Sequence, residues 1–368
     1  MKILADANMA GVEAQFSALG EVTFFEGREL LSAQLGGIDI LLVRSVTPVN
    51  AALLGDHRPR FVGSATSGYD HVDQALLSSL GIPFAHAPGS NADSVVDYVL
   101  SVLCQHPSQL DSLLAGSAVG IIGLGHIGRC LQRRLARLGI RSLGYDPWLE
   151  TSGARSTDTL ERVLACPVVS LHAELTDRTP WPSRHMLSLE QLRGLPQQAL
   201  LINAARGELV ATDVLLALSD ERPDVGLVID CWENEPAISD ELLRLSRFAT
   251  PHIAGYSSDG KWRATAMLCE AAALTLGIDD PPTEIALPPL EIDAPTGLDA
   301  QETLPWLVNQ VYDVREDDEA LRRSPLLFDQ LRKQYRQRRE LASLRLRHTG
   351  AMDEAALAIC RALGVKRC

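Results

Sequence analysis

Ala118-Val119-Gly120-Ile121-Ile122-Gly123-Leu124-Gly125-His126-Ile127-Gly128, followed further along by Asp146, is the stretch that decides the fold. An apolar run of strand length feeds into G-x-G-x-x-G. The residues after it, Arg129–Leu138, carry Leu131, Leu135 and Leu138 on one helical stripe. In a strand–turn–helix unit the first glycine permits the tight turn and the second lets backbone approach a pyrophosphate. The third allows the helix to pack closely on the strand. The N-terminus of that helix then offers unpaired N–H groups to an anion. Arg141–Tyr145 reads as the next strand, and Asp146 ends it. A carboxylate there accepts hydrogen bonds from an adenosine ribose and repels a 2′-phosphate, so NAD is expected over NADP.

The same alternation extends outward on both sides. Lys2–Ala5, Val22–Phe25, Ile40–Arg44 and Phe61–Ser64 read as buried strands before the glycine turn. Val168–His172, Ala199–Asn203 and Gly226–Asp230 read as strands after it. Strands separated by helical stretches imply parallel βαβ units and an α/β fold. Asp93–Cys104 and residues 261–277 read as helices. The texture changes at Asp279, where prolines at 281, 282, 288, 289 and 295 mark a semi-rigid connector. Residues 300–368 read as a smaller, mostly helical domain. Its arginine-dense run Leu331–Glu340 is read as a helix that is solvated or at an interface.

Composition narrows the function. The chain has 368 residues and a formal net charge of −13, which makes it a poor partner for nucleic acid or an anionic membrane. An anionic substrate must therefore be held by local charges. The seven cysteines include no C-x-x-C pair, so reduced thiols are expected and no metal site. There is no signal-peptide apolar core at Met1–Asp6 and no membrane-spanning run, so a cytoplasmic location is expected.

Three polar residues lie just beyond predicted strands: Arg206, Glu235 and His252. In open α/β sheets ligands bind outside the carboxyl ends of the strands, so the three can share a crevice. Each alone reads equally well as a loop residue. Together they suit alcohol oxidation. A histidine takes a hydroxyl proton near neutral pH, a glutamate orients it, and an arginine holds a carboxylate bidentately. Arg44 and Ser45 end a strand and can offer a charge and a hydroxyl to a second anion.

These motifs, with Gly63–Asp70, Asn203–Gly207 and Pro251-His252, resemble the D-2-hydroxyacid dehydrogenases over roughly 40–280. The resemblance implies two flavodoxin- or Rossmann-like lobes with parallel sheets. A discontinuous substrate-binding lobe would span 1–92 and 257–280, an NAD-binding lobe 93–256, and a C-terminal dimerisation domain 281–368. It implies Arg206, Glu235 and His252 as the catalytic group. Cofactor contacts would fall on Gly123, Gly125, His126, Ile127, Gly128, Asp146, Ala204, Asp230 and Gly255. Arg44-Ser45-Val46-Thr47, His252–Ser257 and the stretch from Phe328 to Glu340 are similar to a branch acting on a phosphorylated hydroxyacid. That similarity adds Ser45, Thr66 and Tyr256 as substrate contacts, beside Arg44 with its strand-end charge. Two positions depart from the family pattern. His172-Ala173-Glu174-Leu175 replaces its usual His-Thr-Pro-Leu, and Asp97 stands where relatives often have Glu. A non-catalytic NAD-sensing scaffold, or a dehydrogenase of another small phosphorylated acid, are the competing readings. In the C-terminal domain Leu304, Trp306, Leu307, Val308 and Val311 form one apolar group, and Leu326, Leu327 and Phe328 another. They are expected to need a second surface, most simply a homodimer partner.

Overall fold

The computed structural model describes residues 1–151, 158–278, 287–295 and 297–367. Pro281 and Pro282 of the expected connector lie outside the described residues. The chain divides into two compact units, Met1–Asn91 with Ser257–Pro288, and Ala92–Tyr256 with Pro289–Cys368.

In the first unit five strands form one parallel sheet: β1 (Lys2–Asp6), β2 (Glu21–Phe25), β3 (Ile40–Val43), β4 (Phe61–Ser64) and β5 (Phe84–His86), in the order β2-β1-β3-β4-β5. β3 is Ile-Leu-Leu-Val with every residue buried, the continuous apolar run of a strand covered on both faces. The helix Ser258–Thr275 returns from the far end of the sequence to this unit. Leu268, Cys269, Ala272 and Ala273 cover one sheet face.

In the second unit six parallel strands follow: β6 (Ala118–Ile122), β7 (Arg141–Tyr145), β8 (Val168–Leu171), β9 (Leu200–Asn203), β10 (Gly226–Ile229) and β11 (Phe248–Ala249). Their order is β11-β10-β9-β8-β6-β7. β6 is followed by β7 on one side and has β8 on the other, so the order reverses between β6 and β8. The crevice beyond their carboxyl ends is where such sheets take ligands. Side chains alternate between two cores: Val168 and Leu200 face one, Val169 and Leu201 the other.

The helix Ala92–Cys104 crosses the first of these faces and is buried on nearly all sides. Its polar residues are therefore obliged to find partners. Ser94 donates to the Ala254 carbonyl at 2.9 Å, and Ser101 accepts from Val314 N at 3.0 Å. Asp97 accepts from Leu341 N at 2.9 Å. Two of these three partners belong to the C-terminal region.

That region departs from expectation. It carries a three-stranded parallel sheet, β12 (Leu290–Asp293), β13 (Leu344–Arg347) and β14 (Lys366–Arg367), in that order, beside its helices. The arginine-dense run is not one helix. The helix Phe328–Lys333 stops there and the chain continues without a regular element to Glu340, with Arg338 drawn inward to 2% exposure. Leu304, Leu307 and Val308 do not wait for a second molecule. They are buried in the core shared with Ala92–Cys104, with Trp306 and Val311 packed at its margin. Phe328 enters the core of the opposite sheet face, while Leu326 is 98% exposed and Leu327 46%.

Candidate active site

The turn after β6 has the shape a dinucleotide requires. Gly123 sits at φ 91°, and a Cβ there would collide with the backbone of His172 and Ala173. A Cβ on Gly128 would strike the Gly123 carbonyl, so the third glycine lets the helix His126–Arg137 close on the turn. Around Gly125 the space where a side chain would stand is open, and Gly125 and His126 are exposed with Ile127 half-buried. That is the cradle a pyrophosphate fills, at the N-terminus of a twelve-residue helix. Asp146 buttresses the turn, accepting from Leu124 N at 2.9 Å and Trp148 N at 3.1 Å. A carboxylate has about four acceptor positions, so two remain for ribose hydroxyls. These residues fit an NAD. The neighbouring His172 is buried, which pushes its pKa down to about 4 and keeps it neutral, with its ring on Ser170 at 2.9 Å.

The segments after β9, β10 and β11 build the chemistry. After β9, Asn203 clamps its own loop, accepting from Ala205 N at 3.2 Å and donating to the Arg206 carbonyl at 2.9 Å. Ala204 is 6% exposed. Gly207 lies so close to the Trp232 carbonyl that a Cβ would collide with it, which presses the Arg206 loop onto the loop after β10. The Arg206 charge is felt at Cys231.

Glu233 and Glu235, two residues apart, point to different work. Glu233 accepts from Thr212 N at 2.6 Å and meets His185 at 2.7 Å. Glu235 meets His252 Nδ1 at 2.8 Å and accepts from Trp232 N at 2.8 Å. Burial alone would raise the Glu235 pKa. The His252 hydrogen bond and charge, the Trp232 N–H and the nearby Arg332 outweigh it and hold the carboxyl below its ordinary value. His252 itself stands at φ 53°, a left-handed backbone uncommon outside glycine and costly to hold.

Asp230 supplies that hold. At 1% exposure its carboxylate accepts from Thr250 Oγ1 at 2.6 Å, Ile253 N at 2.8 Å and Ala254 N at 3.0 Å. Burial raises its pKa against these contacts and the charge of His252. Expected as a cofactor contact, Asp230 is engaged in shaping the His252 loop. Gly255 and Tyr256 complete the loop, with Tyr256 N donating to the Ile253 carbonyl at 2.8 Å.

With Nδ1 committed to Glu235, the histidine is left with Nε2 to accept a proton. Cys231, Glu235 and His252 offer ligand atoms within 4.8 Å of one another. The thiol is fully buried, which pushes it well above its ordinary value, and Arg332 already places a cation beside Glu235. The charge pattern suits proton transfer better than a metal ion.

The expected substrate contacts fall in both units. In the first, Arg44 and Thr66 follow the paired carboxyl ends of β3 and β4. Arg44 Nε lies 3.1 Å from the fully buried Asp6, Ser45 is exposed, and Thr66 donates to the Gly68 carbonyl at 2.6 Å. In the second unit, Arg332 had appeared in sequence only as part of a resembling stretch. Its guanidinium donates to the Tyr256 hydroxyl at 3.3 Å and lies 3.9 Å from Glu235.

Comparison with known proteins finds a family match. Residues 101–254 match the family described as D-isomer specific 2-hydroxyacid dehydrogenase, NAD binding domain, and residues 286–364 match a domain of unknown function. The chain is 42% identical to an erythronate-4-phosphate dehydrogenase of Cellvibrio japonicus, covering 97% of each. It is 44% identical to that of Edwardsiella ictaluri, covering 94% of each. In fold it is similar to an NAD+-bound 3-phosphoglycerate dehydrogenase of Entamoeba histolytica. The TM-score is 0.59 at 20% identity, over 78% of this chain and 99% of that one.

Proposed function

Since the chain belongs to the erythronate-4-phosphate dehydrogenases, within the D-2-hydroxyacid dehydrogenases, we propose that it oxidises 4-phospho-D-erythronate to (R)-3-hydroxy-2-oxo-4-phosphooxybutanoate in pyridoxal 5′-phosphate biosynthesis. The observation that carries the reading is the Glu235–His252 contact at 2.8 Å, downstream of a dinucleotide cradle. NAD is the cofactor, and when bound it supplies the acceptor for the hydride leaving C2. Gly123, Gly125, His126, Ile127, Gly128, Asp146, Ala204 and Gly255 would hold it, with Asp230 acting through the loop it shapes. His252 Nε2 takes the hydroxyl proton as the hydride departs. Glu235 keeps the ring oriented and balances the imidazolium that forms. Arg206 binds the carboxylate and polarises the developing carbonyl. Tyr256 and Thr66 contact the substrate, and Arg44 and Ser45 receive the phosphate.

Incubation with NAD or NADP and a panel of 2-hydroxyacids, with and without terminal phosphate, tests the reading. NADH formation is expected to be fastest with 4-phosphoerythronate. NADP is expected to be about 5- to 150-fold less efficient, from ~1–3 kcal/mol of repulsion at Asp146. Arg44→Ala should weaken the phosphorylated substrate more than its dephosphorylated analogue. Turnover of 3-phosphoglycerate with none of 4-phosphoerythronate would overturn the substrate assignment.

We further propose a cytoplasmic homodimer joined through the C-terminal region. Six described cysteines are free, as a reducing compartment requires, and among the described residues no helix is long and apolar enough to cross a membrane. Among the described residues, Leu326 and Leu327 are the large apolar side chains this region leaves exposed. Sedimentation velocity should give a dimer for the native chain and a monomer for Leu326→Asp with Leu327→Asp. A dimer unaffected by both changes would move the interface elsewhere.

A further inference from the structure

Arg332 lies in the helix Phe328–Lys333, far along the chain from Glu235 and His252. Its Nη1 stands 3.9 Å from Glu235 Oε2, and its Nη2 donates to the Tyr256 hydroxyl at 3.3 Å. The guanidinium carbon lies 5.8 Å from the centre of the Tyr256 ring and 5.9 Å from that of Phe328. Only 24% of the side chain is exposed, and the buried Nε has no hydrogen-bond partner among the described residues. A guanidinium held this far from water with a donor unused is costly unless its charge is used nearby.

The scaffold that places Arg332 does not depend on it. Phe328 anchors the helix in the sheet core. The preceding helix, Val314–Arg323, is tied down by Asp318, which accepts from Ala249 N at 2.7 Å. Arg322 donates to the carbonyls of Leu243 at 2.6 Å and Ser246 at 2.8 Å. Removing the Arg332 charge therefore leaves its helix seated.

We propose that Arg332 is a positioning residue for the oxidation: it shares Glu235 with His252 and fixes the Tyr256 hydroxyl. The proposal rests on the dehydrogenase reading above. The carboxylate of Glu235 faces two cations when His252 is protonated and one when it is neutral. A permanent guanidinium 3.9 Å away competes with the imidazolium for that carboxylate, so the charge balance at Glu235 is set by Arg332 as well as by His252. The other groups around the pair are Asp230 and Cys231 at the end of β10, Arg206 after β9, and Tyr256 on the loop of His252, with Tyr335 against the Tyr256 ring at 5.8 Å. Asp230 is held by Thr250 and the loop N–H groups, and its charge reaches His252 and Arg332 as well. Arg332 is thus the charge from outside the strand-end loops that reaches Glu235.

The test is the pH dependence of kcat/KM together with the titration of the His252 ring protons by NMR, which needs no substrate. Arg332→Gln should move the acid limb and the His252 ring signals toward higher pH, because Glu235 then faces the imidazolium alone. Arg332→Met, which keeps the aliphatic stem, should do the same and serves if the Gln variant does not fold. Arg332→Lys should restore both, because the charge returns. KM for the hydroxyacid should stay raised, since an ammonium does not reproduce the planar contact with Tyr256. Glu235→Gln should move both in the opposite direction. Unchanged limb and titration in folded neutral variants would overturn the proposal. If the native chain oxidises none of the phosphorylated hydroxyacids, the substrate reading fails, and the NMR titration still decides the role of Arg332.

Discussion

His252→Ala should lower kcat by at least ~100-fold and leave NAD affinity nearly intact. The expected size follows from what the ring alone supplies. No other described group in the loops after β9, β10 and β11 combines a free nitrogen lone pair with a second nitrogen already committed to a carboxylate. Glu235 is held below its ordinary pKa and is a weak base. Cys231 is buried with its thiol pushed far up, and it cannot take over. Cofactor binding is spared because the glycine turn and Asp146 follow β6 and β7, and the Ile253 and Ala254 N–H groups stay on Asp230. Removing the ring also relieves nothing in the backbone, since alanine dislikes a φ of 53° at least as much as histidine. Steady-state rates with 4-phosphoerythronate, beside NADH fluorescence titration, separate the two effects. Normal turnover would remove His252 from the mechanism.

Arg338→Met should destabilise the second unit by about 3–5 kcal/mol, seen as a fall in Tm on the order of 10 °C. Arg338 is 2% exposed and donates to the Ser94 carbonyl at 2.6 Å and the Ala254 carbonyl at 3.3 Å. Its guanidinium lies 3.7 Å from the centre of the Tyr312 ring. Methionine fills part of the volume but leaves the carboxylates of Asp97 and Asp317 without a cation they feel. Burial pushes Asp97 up to about 7, against the charges of Arg134 and Arg338, and Asp317 up to about 6. The sign follows from those raised values. Each acid favours the folded state fully only below its unfolded pKa, and the contribution is lost as pH rises through the folded value. Without Arg338 that loss deepens, so the variant should be hurt more at pH 8 than at pH 6. Urea denaturation at the two pH values measures it. A change under ~1 kcal/mol at both would show that the arginine is dispensable for folding.

The nucleotide sheet was legible because its signals are local. A strand, a glycine turn and a helix stripe sit within twenty-odd residues, and each names its own neighbour. The edge strand β5 was not read, because Phe84–His86 is three residues long and its pairing with β4 is a long-range fact. The C-terminal sheet did leave a trace. Leu290-Glu291-Ile292-Asp293 and Leu344-Arg345-Leu346-Arg347 alternate with the period of a strand, and Leu344 and Leu346 are buried. Dense arginine and proline masked that pattern. At the site, Glu235 and His252 were readable from their places beyond strands. The work of Glu233 was not, since it depends on His185 and Thr212 closing on it across the fold. Arg332 carried no local mark, because its neighbours come from packing across the sheet.

The helix Ala92–Cys104 has given Asp97 and Ser101 to backbone groups of the C-terminal region, while Ser94 and Arg338 meet over Ala254. A chimaera that grafts residues 289–368 onto the nucleotide sheet of another dehydrogenase would therefore arrive without its sockets. Transplantation has to carry the whole helix as well, as a lock travels with its key, and a recipient helix with leucines at those three positions would leave the incoming Leu341 and Val314 amides with nothing to bind.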